Sequence, residues 1–214
     1  SAMTQIARIN EKILSEKLFP LVLGGEHSIT SGSIRPFVKK YKNLYILHFD
    51  AHADLRDQYD GERFSHATAI RRCLDYKNVK VISFGIRNLS KEEMIFYKKN
   101  KKKIQIFWGS ERKKWKISQI RKIFKKKNVY ITFDVDGFDS SLMPATGTPE
   151  PGGMFWEDVI PIIKNVCSVS NVVGADINEL APIKNFNSCN FLTAKLAYKI
   201  ISYVFEFKSK NLSR

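Results

Sequence analysis

Short apolar runs alternate with amphipathic stretches along this chain, and this alternation limits the fold more than any other feature. Such a series predicts βαβ units and a three-layer α/β/α fold, in which helices cover both faces of a mostly parallel sheet. The predicted strands are 20–23, 44–49, 79–84, 104–107, 129–133 and 172–177. The predicted helices are 6–17, 31–41, 68–76, 91–100, 117–126, 156–166 and 190–207.

The chain is expected to form one domain over residues 1–214. Its length lies within the usual range for one domain, and it contains no internal repeat and no Pro/Gly-rich hinge. Residues 1–3 are interpreted as a remnant of cloning, although an internal methionine would look the same. No apolar run reaches the 18 or so residues of a bilayer span, and no secretory signal is recognisable, so a membrane protein is not expected.

Charge and cysteine usage restrict the partners and the compartment. The net charge of +15 comes mostly from lysine runs at 98–103, 113–116 and 125–127, each beside an apolar segment. Solvated helix ends and loops explain such runs better than a nucleic-acid site, because arginine is scarce and no Gly-aromatic repeat accompanies them. Three separate cysteines predict unpaired thiols in a reducing cytoplasm.

Acidic and histidine side chains follow four of the predicted strands. Ligands of parallel sheets bind outside the carboxyl ends of the strands, so these side chains are expected to meet in one site. Asp50, His52 and Asp54 leave alternate positions of extended backbone about 6.6 Å apart, on the same face. Taken alone, this alternation is equally typical of a solvated strand end. The full set is His27, Asp50, His52, Asp54, Asp134, Asp136, Asp176 and Glu179.

Two imidazoles and four carboxylates predict a site for two divalent ions. Six ligands are too many for one tetrahedral ion, and the set contains no thiolate, which disfavours structural zinc. Carboxylates can bridge two ions, and oxygen-rich sites with imidazole favour Mn²⁺, with Fe²⁺, Co²⁺ or Zn²⁺ as substitutes. Two Mn²⁺ ions per subunit are therefore the expected cofactors.

Ordered motifs resemble those of the ureohydrolase superfamily, which contains the arginases and agmatinases. The resemblance covers residues 21–203, is closest to agmatinase-like proteins and implies an arginase-like fold. Only residues 2–19 precede the first motif, so the N-terminal strand and glycine-rich loop usual in the family are expected to be absent. The motifs are Gly24-Gly25-Glu26-His27-Ser28, Asp50-Ala51-His52-Ala53-Asp54, Ser65-His66-Ala67-Thr68, Asp134-Val135-Asp136, Gly147-Thr148-Pro149-Glu150-Pro151-Gly152-Gly153 and Asp176-Ile177-Asn178-Glu179-Leu180-Ala181-Pro182.

The resemblance implies a role for each site residue. It assigns one Mn²⁺ to His27, Asp50, Asp54 and Asp134, and the other to His52, Asp50, Asp134 and Asp136. Among the catalytic residues, His66 would transfer a proton, Glu179 would pair with the substrate guanidinium, and Asp176 would support Glu179. The implied reaction is attack of a metal-bridging hydroxide on the guanidinium carbon, which releases urea and a primary amine. The family also implies a cytoplasmic homotrimer or homohexamer.

The substrate is predicted from the segment after the second motif. Residues 55–64 resemble agmatinases, so hydrolysis of agmatine to putrescine and urea is expected, with Glu150, Asp57 or Glu62 attracting the distal ammonium. Arg56 would instead favour a carboxylate, as in guanidinobutyrate. Arginine, formiminoglutamate, an inactive metal-binding homologue and a nucleic-acid-associated protein are the other hypotheses.

Overall fold

The computed structural model describes the backbone of residues 1–212 and the side chains of residues 1–208. Its six strands form one sheet in which every adjacent pair is parallel, in the order β1-β6-β5-β2-β3-β4. The strands are β1 (Leu21–Leu23), β2 (Leu44–Phe49), β3 (Val79–Phe84), β4 (Ile104–Phe107), β5 (Asn128–Asp134) and β6 (Asn171–Asn178).

Helices cover both faces of this sheet, as the alternating pattern predicts. The helices are α1 (Ala2–Ser15), α2 (Ile29–Ser33), α3 (Arg35–Lys40), α4 (Ala69–Leu74), α5 (Lys91–Lys99), α6 (Ile117–Phe124), α7 (Trp156–Val169) and α8 (Ser188–Leu212). Helices α6, α7 and α8 pack on one face through a core that includes Phe124, Ile163 and Leu196. Helices α1, α3, α4 and α5 pack on the other face, where Phe37 contacts Tyr130. The predicted α/β/α fold is confirmed.

The predicted helix over 31–41 is wrong in its continuity. The structure contains two short helices, and Ile34 lies between them with Pro36 in the first turn of the second. Proline lacks the N–H that would continue the hydrogen bonds of the first helix, so the chain starts a new helix there. Met3 was interpreted as part of a cloning remnant. In the structure it lies in α1, and its backbone packs against Gly32.

The sheet reverses its direction of winding between β2 and β5. Strands β3 and β4 extend the sheet to one side of β2, whereas β5, β6 and β1 extend it to the other. The crevice at the carboxyl ends of two such strands is the usual ligand site of an open parallel sheet. Here those ends carry Asp50 and Asp134, so the fold itself brings the acidic motifs together.

The lysine runs lie on the surface of the described chain. Their side chains are exposed or half-buried and lie at the ends of α5 and α6 and in the turn before α6. Cys73, Cys167 and Cys189 are buried free thiols. Among the helices of the described chain, none combines the length and the apolar character that crossing a membrane requires.

Candidate metal centre

The first part of the centre is built around the buried ring of His27. Its Nδ1 lies 3.2 Å from Asp50 Oδ2, 3.0 Å from Asp54 Oδ2 and 3.3 Å from Asp134 Oδ2. The same nitrogen has no partner at hydrogen-bond geometry. It therefore points between three carboxylates and is well aligned with none of them. This arrangement fits a cation held between the four side chains, because Nδ1 is directed at no single carboxylate.

A chain of hydrogen bonds behind His27 fixes the orientation of its ring. Thr132 Oγ1 donates to Asp176 Oδ1 at 2.6 Å and lies 2.9 Å from His27 Nε2. Because the hydroxyl gives its one proton to Asp176, it accepts from Nε2–H, which leaves Nδ1 with a free lone pair. Tyr130 and Asn178 also donate to the Asp176 carboxylate. Asp176 thus acts on the centre through Thr132 and is buried away from the cleft.

Replacing Thr132 with valine is expected to weaken Mn²⁺ binding by about tenfold, the lower limit usual for a residue that supports a metal ligand. The substitution keeps the shape of the side chain but leaves His27 Nε2 without its acceptor, so the ring and its tautomer are no longer fixed. Calorimetric titration of the chelator-treated chain with Mn²⁺ measures the effect.

Thr193→Val is the matched control, because this buried hydroxyl donates to the carbonyl of Cys189 within its own helix, outside the centre. Equal Mn²⁺ affinity in T132V and the native chain would contradict the orienting role of Thr132.

The second part of the centre joins the ends of β2 and β5. His52 Nδ1 lies 3.0 Å from Asp136 Oδ2 and 3.6 Å from Asp50 Oδ1. Asp50 thus has one oxygen toward each part of the centre. Asp136 Oδ1 accepts the N–H of Ala51 at 3.0 Å, which holds its carboxylate against β2. Two groups of candidate ligand atoms result, and they share Asp50. They are His27, His48, Asp50 and Asp54, and Asp50, His52 and Asp136.

Electrostatics favour positive charge in both groups. Burial lowers the pKa of His52, but the carboxylates of Asp136 and Asp50 raise it to about 11. Burial and the charge of Asp50 raise the pKa of Asp54 to about 8. Burial also lowers the pKa of His27, yet its contacts with Asp134, Asp50 and Asp54 raise it well above the ordinary value. Clustered buried carboxylates thus seek compensating charge, which divalent cations would supply.

Three of the remaining predicted site residues lie around a cleft of about 290 Å³ next to the centre. His66, Glu179 and Arg56 line this cleft together with His52, Asp54, Asp134 and Asp136. Glu179 has a left-handed backbone (φ +65°) and accepts the N–H of His27 at 2.6 Å. Burial raises its pKa.

The predicted substrate-tail residues occupy different places. Arg56 Nε lies 3.9 Å from Glu93 Oε2, and its guanidinium is 5.5 Å from the centroid of the Tyr59 ring. Glu150 lies beside the second group of ligands, with Oε1 3.7 Å from His52 Nε2. Asp57 forms an ion pair with Arg72 at 2.7 Å. Of the tail residues, only Arg56 therefore lines the cleft.

His48 is a centre residue that sequence reasoning missed. Its Nε2 lies 2.8 Å from Asp50 Oδ2 and its Nδ1 lies 3.0 Å from Ser83 Oγ, so it supports the carboxylate shared by the two groups. The signal was present, because the alternation of Asp50, His52 and Asp54 extends back by two residues to His48. The predicted sharing of Asp134 stays a prediction, since its Oδ2 lies near His27 and its Oδ1 accepts the N–H of Asp136.

Comparison with known proteins identifies similar sequences and structures. The sequence model of the arginase family matches residues 1–205. N(1)-aminopropylagmatine ureohydrolase of Synechocystis sp. is 35% identical over 91% of this chain and 63% of its own length. Agmatinase of Bacillus subtilis is 36% identical over 94% of this chain and 67% of its own length. The crystal structure of agmatine ureohydrolase of Thermoplasma volcanium superposes with a TM-score of 0.86 at 32% identity, over 98% of this chain and 70% of that one.

The chain therefore spans about two thirds of the length of these relatives. The range matched by the family model contains the two groups of candidate ligands.

Proposed function

The chain belongs to the arginase family, and on that premise we propose that it hydrolyses the guanidino group of a small linear substrate, with agmatine as the first choice. The products would be urea and putrescine. The observation that carries this proposal is the buried Asp50, whose two oxygens face two different groups of candidate ligands beside an open cleft. A site for a single structural ion would need neither the second group nor the cleft.

The donor set fits two Mn²⁺ ions. His27, Asp50, Asp54 and Asp134 would hold one ion, and His52, Asp50 and Asp136 the other, with Asp134 proposed to reach both. The ligand atoms are imidazole nitrogens and carboxylate oxygens, a combination that suits Mn²⁺. When bound, the pair of ions would supply a water activated for attack at neutral pH and would stabilise the charge that develops on the reacting group.

Glu179 is proposed to bind and orient the substrate guanidinium. Its Oε1 is tied to the backbone of His27, so the carboxylate is fixed relative to the centre. A carboxylate held in this way can accept hydrogen bonds from a planar guanidinium and keep its carbon facing the ligands. Because Glu179 lines the cleft, the substrate tail would extend away from the centre toward Arg56 and Tyr59.

His66 is proposed to deliver the proton to the leaving amine. Glu26 Oε1 accepts the backbone N–H of His66 and lies 3.2 Å from Nδ1 of its ring. A proton on Nδ1 that is paired with this carboxylate leaves Nε2 as the nitrogen with a free lone pair, which can accept a proton and pass it on. The side chain is half exposed at the mouth of the cleft, where a leaving amine would depart.

A panel of substrates tests the proposed specificity. With Mn²⁺ added, urea release is expected to be fastest from agmatine or N(1)-aminopropylagmatine, the substrate named in one relative, and slower from arginine. This ranking follows the relatives, which are named for agmatine and aminopropylagmatine. Guanidinobutyrate is the second candidate, because Arg56 brings a cation to the wall of the cleft. Fastest turnover of arginine would contradict the proposal.

The assembly and the location follow from the family and are part of the same proposal. A homotrimer or homohexamer in the cytoplasm stays a prediction for this chain, as does its folding as one domain. Binding of nucleic acid to the exposed lysine runs is not proposed, because arginine is scarce in these runs and no Gly-aromatic repeat accompanies them.

A further inference from the structure

Arg87 is a half-buried residue that follows β3 and was not singled out by any sequence motif. Among the described side chains and backbone, its guanidinium contacts six carbonyl oxygens and no carboxylate. The contacts are Nε to Pro151 O at 3.1 Å, Nη1 to Gly85 O at 3.2 Å and Gly137 O at 3.4 Å, and Nη2 to Asp136 O at 2.8 Å, Phe138 O at 3.1 Å and Glu150 O at 2.8 Å. Such a planar fork of donors can hold several loops in one geometry.

The loops that Arg87 joins all belong to the second group of ligands. Its side chain binds the carbonyl of Asp136, a candidate ligand, and that of Glu150, whose carboxylate lies near His52. Its own backbone N–H donates to Ala51 O at 2.9 Å, between Asp50 and His52. The Arg87 side chain therefore ties the loop after β5 to the 147–153 segment, and its backbone N–H contacts the end of β2, which is itself paired with β5.

Close packing around Arg87 reinforces this geometry. Gly137 lies so near Asp50 that a Cβ there would be 2.8 Å from the backbone nitrogen of Asp50. Gly85 has φ +94°, and a Cβ on it would lie 2.9 Å from Asp50 O. At these two glycines the loops thus approach the backbone of Asp50 closely, with the Met154 side chain packed beside both, and the guanidinium supplies hydrogen bonds that hold the loops there.

The first group of ligands is held by other means. His27 is oriented by Thr132 and Asp176, and Asp54 O accepts the N–H of Arg71 at 2.8 Å. The contacts of Arg87 given above include neither His27 nor Asp54. The two halves of the centre therefore have separate supports, one in the sheet interior and one in the loops gathered by Arg87.

We propose that Arg87 is a positioning residue that maintains the second cation subsite, formed by Asp50, His52 and Asp136, independently of the first. This inference rests on the proposed two-cation centre. It adds that the second subsite depends on Arg87 and the first does not. Replacement of Arg87 separates the loops of the second subsite, whereas the ligands of the first keep their support from Thr132. The variant then binds one Mn²⁺ as the native chain does and the other more weakly.

Calorimetric titration of the chelator-treated chain with Mn²⁺ tests this inference, with Arg87→Met and Arg87→Lys as the variants. The second binding event is expected to weaken by about 10- to 100-fold in R87M, the usual effect of losing a residue that supports metal ligands, and the first to stay unchanged. In R87K the second binding event is expected to weaken less than in R87M, because the lysine ammonium still offers three of the five donors of a guanidinium. At a Mn²⁺ concentration that fills both sites of the native chain but only the first site of R87M, the electron paramagnetic resonance spectrum should change from that of a coupled pair to that of a single ion.

Arg112→Met and Arg112→Lys are the matched controls. Arg112 also donates to backbone carbonyls of the 147–153 segment, Gly152 O at 3.2 Å and Gly153 O at 2.6 Å, but its contacts do not reach the loop of Asp136. The controls are expected to bind both Mn²⁺ ions as the native chain does. An equal loss in the Arg112 variants, an equal weakening of both binding events in the Arg87 variants, or no change in either event would overturn the proposal.

Retained binding of the first Mn²⁺ shows that a variant is folded, and R87K decides the question if R87M does not fold. The proposed function and the role of Arg87 are tested by different measurements, so one can fail without the other. Two Mn²⁺ ions bound to the native chain without urea release would contradict the activity, and the titration would still decide the role of Arg87.

Discussion

Replacing Asp50 with asparagine is expected to remove the binding of both Mn²⁺ ions at micromolar concentration and to lower urea release by at least about 1,000-fold, more than the 10- to 100-fold loss typical of a residue that only supports ligands. Within the described part of the chain, Asp50 is the one residue present in both groups of candidate ligands. An amide keeps the shape of the side chain but offers a single neutral oxygen, and its NH₂ group would face His27 or His52. Metal analysis after gel filtration and a urea assay measure the two effects.

The control for this prediction is a carboxylate of similar size outside the centre. The exposed Asp75 forms ion pairs with Arg63 at 3.3 Å and with the buried Arg72 at 3.6 Å, outside the cleft residues, so Asp75→Asn should keep both ions and full turnover. Retention of two Mn²⁺ ions by D50N would show that the shared carboxylate is not needed and would remove the main support of the proposed function.

Strand positions could be predicted because each strand is a continuous apolar run. A parallel sheet buried on both faces selects such runs, and the predicted bounds of β2, β3 and β4 coincide with those in the structure. The interruption of the helix near Pro36 was also readable in principle, since the proline is visible and its effect on a helix is known. The interruption was missed because the apolar pattern continues past Pro36, from Ile34 to Phe37.

The candidate ligands could be predicted because the ends of parallel strands meet at one edge of the sheet. Their supports could not be predicted in the same way. Arg87 binds six backbone carbonyls, which every residue carries, so no partner type in the sequence marks its position. The role of Asp176 depends on Thr132, which reads as an ordinary residue of a β-strand. Only the three-dimensional register of β5 and β6, with Thr132 opposite Asp176, brings them together.

Replacing Glu179 with glutamine is expected to lower kcat/KM for the best guanidino substrate by roughly 100-fold, since a hydrogen bond to a charged group contributes about 1.5–3 kcal/mol. The glutamine side chain in E179Q retains an oxygen that can accept the N–H of His27, so the loop and the neighbouring ligands keep their positions. The loss should therefore come from the missing charge opposite the guanidinium. Mn²⁺ content is expected to stay at the native value, which separates this variant from D50N.

The glutamine variant also distinguishes binding of the substrate from support of the centre. If Glu179 only fixed the backbone of His27, E179Q would turn over substrate at nearly the native rate, while Glu179→Ala, which removes the acceptor altogether, would lose both Mn²⁺ and activity. If Glu179 binds the guanidinium, E179Q alone is sufficient to raise KM. Glu157→Gln on α7 is the control for a change of charge, because its exposed carboxylate in the first turn of that helix lies outside the cleft residues. Native kinetics in E179Q would contradict the proposed contact and would move the search for the guanidinium partner to the other acids of the cleft.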